Sequence, residues 1–155
     1  MSGRPFSYII KSVSAITGVP FAQLATPATT SLEILRIELG QETSETSQQE
    51  ALMLVRRSTN TTLPNVAERV ATEQGGPATL LAGTSITNAI GVATATGSYT
   101  ASLMRWTFNA LNGFLYLPVP EERITLNPSA FITLEFITAP AANTYSGHII
   151  YQELT

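Results

Sequence analysis

Apolar residues return at every second position in one segment of this chain after another. That period commits the chain to β structure, because side chains on a strand alternate between the two faces of its sheet. From Phe131 to Phe136 one face takes Ile132, Leu134 and Phe136, and the other takes Phe131, Thr133 and Glu135. From Ser31 to Leu39, the residues Leu35, Ile37 and Leu39 alternate against Leu32, Ile34, Arg36 and Glu38. Ala51 to Arg57 contains the unbroken run Leu52-Met53-Leu54-Val55, which suits a strand covered on both faces and by pattern alone also fits a helix of similar length. Phe6 to Val13, Ala101 to Leu111, Ile124 to Leu126 ahead of the Asn127-Pro128-Ser129 turn, and His148 to Leu154 complete the set. About eight strands at this spacing predict an all-β, single-domain, jelly-roll-like sandwich or barrel. At most one short helix is expected, over Asn65 to Gln74, where Val66 and Val70 stand four apart between Pro64 and Gly75-Gly76-Pro77.

Asn112-Gly113, set between two apolar stretches, is the sharpest local signal, since a two-residue Asn-Gly loop supplies the positive φ angles of a type I′ hairpin. Pairing outward from it places Leu111 opposite Phe114, Ala110 opposite Leu115, Phe108 opposite Leu117 and Trp106 opposite Val119. The expected core face is then Trp106, Phe108, Ala110, Leu115, Leu117 and Val119, with Arg105, Thr107, Asn109, Leu111, Phe114 and Tyr116 on the other. Pro118 and Pro120 lack ladder donors, so regular pairing should stop near Leu117 or continue only at an edge.

Composition narrows function by what it lacks. Charged residues are 12% of the 155, about half the usual share; the acids are all Glu, and the bases are seven Arg and Lys11. Lys, Glu and Asp are depleted at protein interfaces while Arg is kept, so this balance fits a subunit whose outside is largely covered by partners, as it also fits a Thr-rich β domain with hydroxyls on its polar faces. A net charge of -3 argues against a sequence-independent hold on nucleic acid. No apolar run reaches the roughly 18 residues of a membrane span, and Met1 to Phe6 lacks the apolar stretch of a secretion signal, so a soluble chain made in the cytoplasm is expected.

Catalytic and metal chemistry find few residues to work with. There is no cysteine and one histidine, His148, so neither a zinc site nor a hydrolytic triad is expected, and no phosphate-cradling glycine motif occurs. No cofactor is expected. Two glutamates can hydrolyse a glycosidic bond, which singles out Glu121 with Glu122 and Glu135 with Glu153. Arg56-Arg57 reads either as a phosphate grip or as surface charge and ion-pair partners for Glu. Phe114, Tyr116, Tyr99 and Tyr145 are the candidates for a sugar-stacking or partner-binding patch, the rival being that this face packs against another sheet or subunit.

The strands of Thr, Ala and Ser, the near absence of Lys and Cys, the phrase from Phe108 through Asn112-Gly113 and Pro118-Val119-Pro120 to Arg123, and the ending Ile124 to Leu154 resemble small β-rich virion proteins of tailed bacteriophages. Among these the chain is most similar to capsid decoration, or cement, proteins. The resemblance implies a non-enzymatic β-sandwich or barrel module, often a homotrimer. Such a module sits on the virion surface where capsomers meet and ties neighbouring copies of the major capsid protein together. It implies no catalytic residues and no nucleic-acid or membrane partner. By position it also implies an N-terminal arm over residues 1–6, ahead of a domain over 7–155. Arg4, Pro5 and Phe6 on the arm, with Phe114 and Tyr116, are the expected interface residues. The competing expectation is a carbohydrate- or receptor-binding module of fibre or lectin type.

Overall fold

The structure, a computed structural model, describes residues 5–14, 16–42, 47–66, 69–71, 87–91, 93–138 and 143–154. Its strands are β1 (Pro5–Ser14), β2 (Pro20–Ala25), β3 (Ser31–Gln41), β4 (Gln49–Arg57), β5 (Asn65–Val66), β6 (Arg69–Ala71), β7 (Thr87–Ile90), β8 (Tyr99–Asn109), β9 (Phe114–Tyr116), β10 (Thr125–Leu126), β11 (Phe131–Thr138) and β12 (Thr144–Leu154). Sheet I runs β10-β3-β12-β1-β6, with β9 also on β3, and sheet II runs β5-β7-β2-β11-β4-β8. These are two separate antiparallel sheets with a shared core, so the fold is a sandwich; the barrel alternative is not what forms.

The connectivity follows from pairing early strands with late ones. β1 pairs with β12, β2 with β11, β3 with β9 and β10, and β4 with β8, all antiparallel. The chain is therefore one long hairpin rolled up so that successive arms fall alternately into the two sheets, which is the jelly roll. The strands beyond eight are short ones in the β4–β8 connection, where β6 extends sheet I beside β1 and β7 extends sheet II beside β2. β9 and β10 together fill one position.

Between the sheets lie Tyr8, Ile10, Phe21, Leu24, Leu32, Ile34, Ile37, Leu39, Leu52, Leu54, Ile132, Leu134, Phe136, Tyr145, Ile149 and Tyr151. The β11 face reads as its alternation predicts. β3 does not keep one alternation along its length: Leu32 and Ile34 are buried, then Ile37 and Leu39. Its register to β12 passes from Ile34 opposite Tyr151 to Arg36 opposite Ile150, so Leu35 is the extra residue of a bulge that shifts the inward face by one.

Two expectations are corrected. Residues Asn65–Val66 and Arg69–Ala71 are strands rather than a helix, because pairing to β7 and β1 outweighs a short four-residue apolar spacing. Residues 67–68 and 72–74 of that expected helix lie outside the described residues. The Asn112-Gly113 step is not a type I′ hairpin either: only Gly113 has a positive φ, at 70°. Asn109 Oδ1 instead accepts a hydrogen bond from the Leu111 N–H, at 3.0 Å, starting a 3₁₀ turn over Ala110–Asn112 that carries the chain from sheet II to sheet I. β9 then pairs with β3, not β8, through Leu39 opposite Phe114 and Ile37 opposite Tyr116. Its faces are thereby inverted relative to expectation. Phe114 and Tyr116 meet Trp106 at 5.1 Å between ring centroids and Phe108 meets Phe114 at 5.4 Å, while Leu115, Leu117 and Val119 point outward. A flat hairpin would have split these rings between its two faces; crossing over gathers them.

Candidate functional site

The expected interface residues do not form one surface. Pro5 and Phe6 are the first two residues of β1 rather than part of a free arm, and the Phe6 ring is buried 5.8 Å from that of Tyr151. Arg4 lies outside the described residues. Phe114 is only 7% exposed, and Tyr116 is half-buried with its hydroxyl donating to the Glu122 carbonyl at 3.0 Å. Of the four candidate stacking aromatics, Tyr145 is fully buried 4.9 Å from Phe136, and Tyr99 alone is well exposed. No aromatic platform is assembled from them.

The carboxylates are likewise dispersed. Glu121 and Glu122 sit exposed on a 3₁₀ turn over Pro120–Glu122. Glu153 is in sheet I, whereas Glu135 is in sheet II and belongs to a buried polar network. Arg57 is its centre: Nη2 donates to Glu135 at 2.6 Å, Nε to the Thr133 hydroxyl at 2.9 Å, and Nη1 to the Gly97 carbonyl at 2.5 Å. Beside it Gln23 accepts from the Thr61 N–H at 2.8 Å and donates to Asn60 at 2.5 Å, and the Gly97 N–H donates to the Thr61 hydroxyl at 3.1 Å. These side chains stand on the outer face of sheet II, and the loops around Asn60 and Gly97 cover them. Gly97 is required there, because a Cβ would run into the Thr59 carbonyl. The arrangement has its partners within the chain, and what it does is hold the β4–β8 connection against the sheet. Of the two arginines singled out in sequence, Arg57 is the ion-pair partner and Arg56 is exposed.

His148 faces Glu38 on the outer face of sheet I, Nε2 to carboxylate 3.7 Å, and the same carboxylate pairs with Arg36. Glu33 takes Arg123 at 3.3 Å and a bond from Gln152. These pairs are partly exposed, the setting in which an ion pair contributes about 0–1 kcal/mol.

A second buried acid was not anticipated. Glu50, opposite Phe108 on β4, is 1% exposed at one end of the core beside Tyr145 and Asn143, and neither of its oxygens meets a well-placed hydrogen-bond partner. Burial pushes its carboxyl above the usual carboxylate range, against a smaller downward pull from Tyr145 and Asn143. A pKa raised in the folded state means that the contribution of this group to stability is fullest below the unfolded pKa and is lost as pH rises through the folded value. Glu50→Gln keeps a polar side chain there but removes the charge that burial disfavours, so it is expected to raise stability at pH 7 and by progressively less towards pH 4. Thermal melts of both proteins across that range test it, and a variant less stable at pH 7 than at pH 4 relative to wild type contradicts it.

What does concentrate in one stretch of the sequence is exposed apolar side chains. Leu103 (39% exposed), Leu111 (54%), Leu115 (56%), Leu117 (68%) and Val119 (54%) all fall in the stretch from β8 through the 3₁₀ turn to the residues after β9. From Tyr99 to Pro120 the only charged residue is Arg105. A groove of about 580 Å³ opens on this flank, lined by Glu38, Gly40, Gln41, Leu111, Phe114 and Leu115. Leu117 and Val119 are exposed on the segment that follows β9, which Pro118 and Pro120 stiffen. Soluble monomers rarely leave large contiguous apolar patches uncovered. Comparison with protein-family models, with curated proteins and with solved structures finds no match to this chain.

Proposed function

We propose that this protein is a non-enzymatic structural subunit that decorates and stabilises a bacteriophage capsid, gripping the major capsid protein on the outside of the virion after synthesis in the host cytoplasm. The observation that carries the reading is the charge-poor stretch from Tyr99 to Pro120, which exposes Leu103, Leu111, Leu115, Leu117 and Val119, with Leu111 and Leu115 lining a groove. Repetition of such a contact over a symmetric lattice adds avidity, so a modest interface on each copy suffices to resist rupture of the shell. The charged side chains nearest to that stretch are paired within the chain: Glu38, at the groove, holds Arg36 and faces His148, while Arg57 and Glu135 pin a loop on sheet II. The carbohydrate-binding alternative draws little from this geometry, because it needs stacking rings at the surface and Phe114 and Tyr145 are inside.

Leu117→Asp and Leu111→Asp, each at an exposed position, should leave the melting temperature nearly unchanged and weaken binding to particles lacking the subunit by about 30-fold or more, the scale of an interface hot spot. Lys11→Glu, on β1, should bind as wild type does. Undiminished particle binding in both aspartate variants overturns the assignment of this flank.

A further inference from the structure

Among the described residues four sheet edges bound the sandwich, and three of them are short. β6 has three residues, β5 has two and follows Pro64, and the edge shared by β9 and β10 has three and two with Pro118 and Pro120 between them. Short edge strands and prolines are the means by which proteins deny an edge to another chain. The fourth edge is β8, eleven residues without proline and with Arg105 as its one charge, and no strand pairs with its far side among the described residues. Two register shifts against β4 fall in its first half, leaving Met104 to Asn109 in unbroken register opposite Leu54 to Gln49. That is the length of an ordinary strand pairing. In this half Arg105 and Thr107 are exposed while Met104, Trp106 and Phe108 are half-buried, so the inner row of this edge is packed on one side and open on the other.

We propose that β8 is the interface with a second copy of this chain, the two strands pairing antiparallel about a two-fold axis at Trp106 and joining the two copies of sheet II into one. Residues directly opposite in such a pair share a face, so a two-fold axis must pass through a residue position if inner row is to meet inner row. Centring on Arg105 sets two guanidiniums opposite each other. Centring on Thr107 leaves Met104 opposite Ala110, which is already off the strand in the 3₁₀ turn. Centring on Trp106 engages the whole inner row, with Met104 opposite Phe108 of the second copy and the two tryptophans opposite each other. On the outer face it places Arg105 opposite an uncharged Thr107. The contact is isologous and closes as a dimer, which departs from the trimer that the resemblance to decoration proteins implies.

Thr107 is exposed, so charge can be placed there without disturbing the core. By light scattering and sedimentation at micromolar concentration the wild-type chain should have twice the 16.6 kDa of the monomer. Thr107→Arg sets like charges opposite twice over and should weaken the dimer about tenfold or more; Thr107→Glu sets an acid opposite Arg105 twice over and should leave it as tight as wild type or tighter. Circular dichroism melts establish that both variants are folded. A wild-type protein monomeric throughout, or a dimer that responds equally to both substitutions, overturns the proposal. It rests on the reading of the chain as an assembling subunit, yet the two fail separately. An intact dimer with Leu117→Asp still binding particles would remove the capsid-binding flank alone, and a monomer whose binding is lost in Leu117→Asp would remove the β8 contact alone.

Discussion

Arg57→Ala should destabilise the protein by about 3–5 kcal/mol, the loss seen when one member of a buried ion pair is removed and the other is left behind. Truncation strips donors from Glu135, from Thr133 and from the Gly97 carbonyl at once. Glu135 is then an uncompensated acid, 5% exposed, on a face that water does not reach. Burial already raises the Glu135 carboxyl pKa despite the opposing pull of Arg57. With the guanidinium gone it should rise further, so the penalty should be largest at neutral pH and shrink as pH falls and the acid takes up a proton. Arg57→Lys should not rescue the loss, since an ammonium cannot present the planar fork that reaches three partners in different directions. Joint replacement, Arg57→Met with Glu135→Leu, should cost far less than the single change, because a buried pair exchanged for apolar side chains of similar volume is often neutral. Urea denaturation with a double-mutant cycle measures all of these. A loss under 1 kcal/mol for Arg57→Ala would mean that the loops around Asn60 and Gly97 do not seal this face.

That network also marks where sequence reasoning stops. The alternation in Phe131 to Phe136 identifies Ile132, Leu134 and Phe136 as core, and the structure agrees. The same alternation puts Thr133 and Glu135 on the opposite face, and both are buried too. A period of two says which residues share a face; it does not say that a segment from forty residues away lies over that face. A trace of it is legible nonetheless: Arg56-Arg57 closes an apolar run, and an ion pair with Glu is one of the two roles the sequence offers for these arginines.

Local signals misled in proportion to how little of the chain they used. Asn112-Gly113 supplied a positive φ, and Gly113 spends it, but on a step between sheets rather than a hairpin. Choosing between the two depends on whether Phe114 and Tyr116 gain more by facing Trp106 and Phe108 than Leu115 and Leu117 would, which is a comparison of whole layers. A bulge such as that at Leu35 leaves no mark except two half-patterns out of phase: Leu32 with Ile34, then Ile37 with Leu39. The jelly roll itself was legible as strand number and spacing, because pairing early strands with late ones is an economical way to give so many short strands neighbours. The apolar flank was legible only as composition: low charge called for a covered surface, and the crossover determined that Leu115, Leu117 and Val119 would be on it.

Phe136→Ala should cost about 3–5 kcal/mol, the range for a phenylalanine removed from a core that collapses only partly. The ring has no exposure and lies between Phe21, stacked at 5.0 Å, and Tyr145, tilted at 4.9 Å. Phe21 and Phe136 belong to sheet II and Tyr145 to sheet I, so this triplet is where the two sheets meet at one end of the sandwich. The backbone there cannot close the void by moving, since the Phe136 carbonyl accepts the Gly18 N–H at 2.7 Å and β11 is held between β2 and β4. Phe136→Leu retains most of the volume and should cost less than half as much. Trp106→Ala sets the contrast. Sequence alone assigns it the same loss, but the indole is half-buried at the open flank, where truncation leaves a notch that water fills, so its cost in the monomer should be well below that of Phe136→Ala. If β8 pairs with a second copy, the Trp106 loss should grow with protein concentration while the Phe136 loss does not. Chemical denaturation at two concentrations, with unchanged m values as the check that the unfolded state is the same, separates the interior ring from the one that a partner completes.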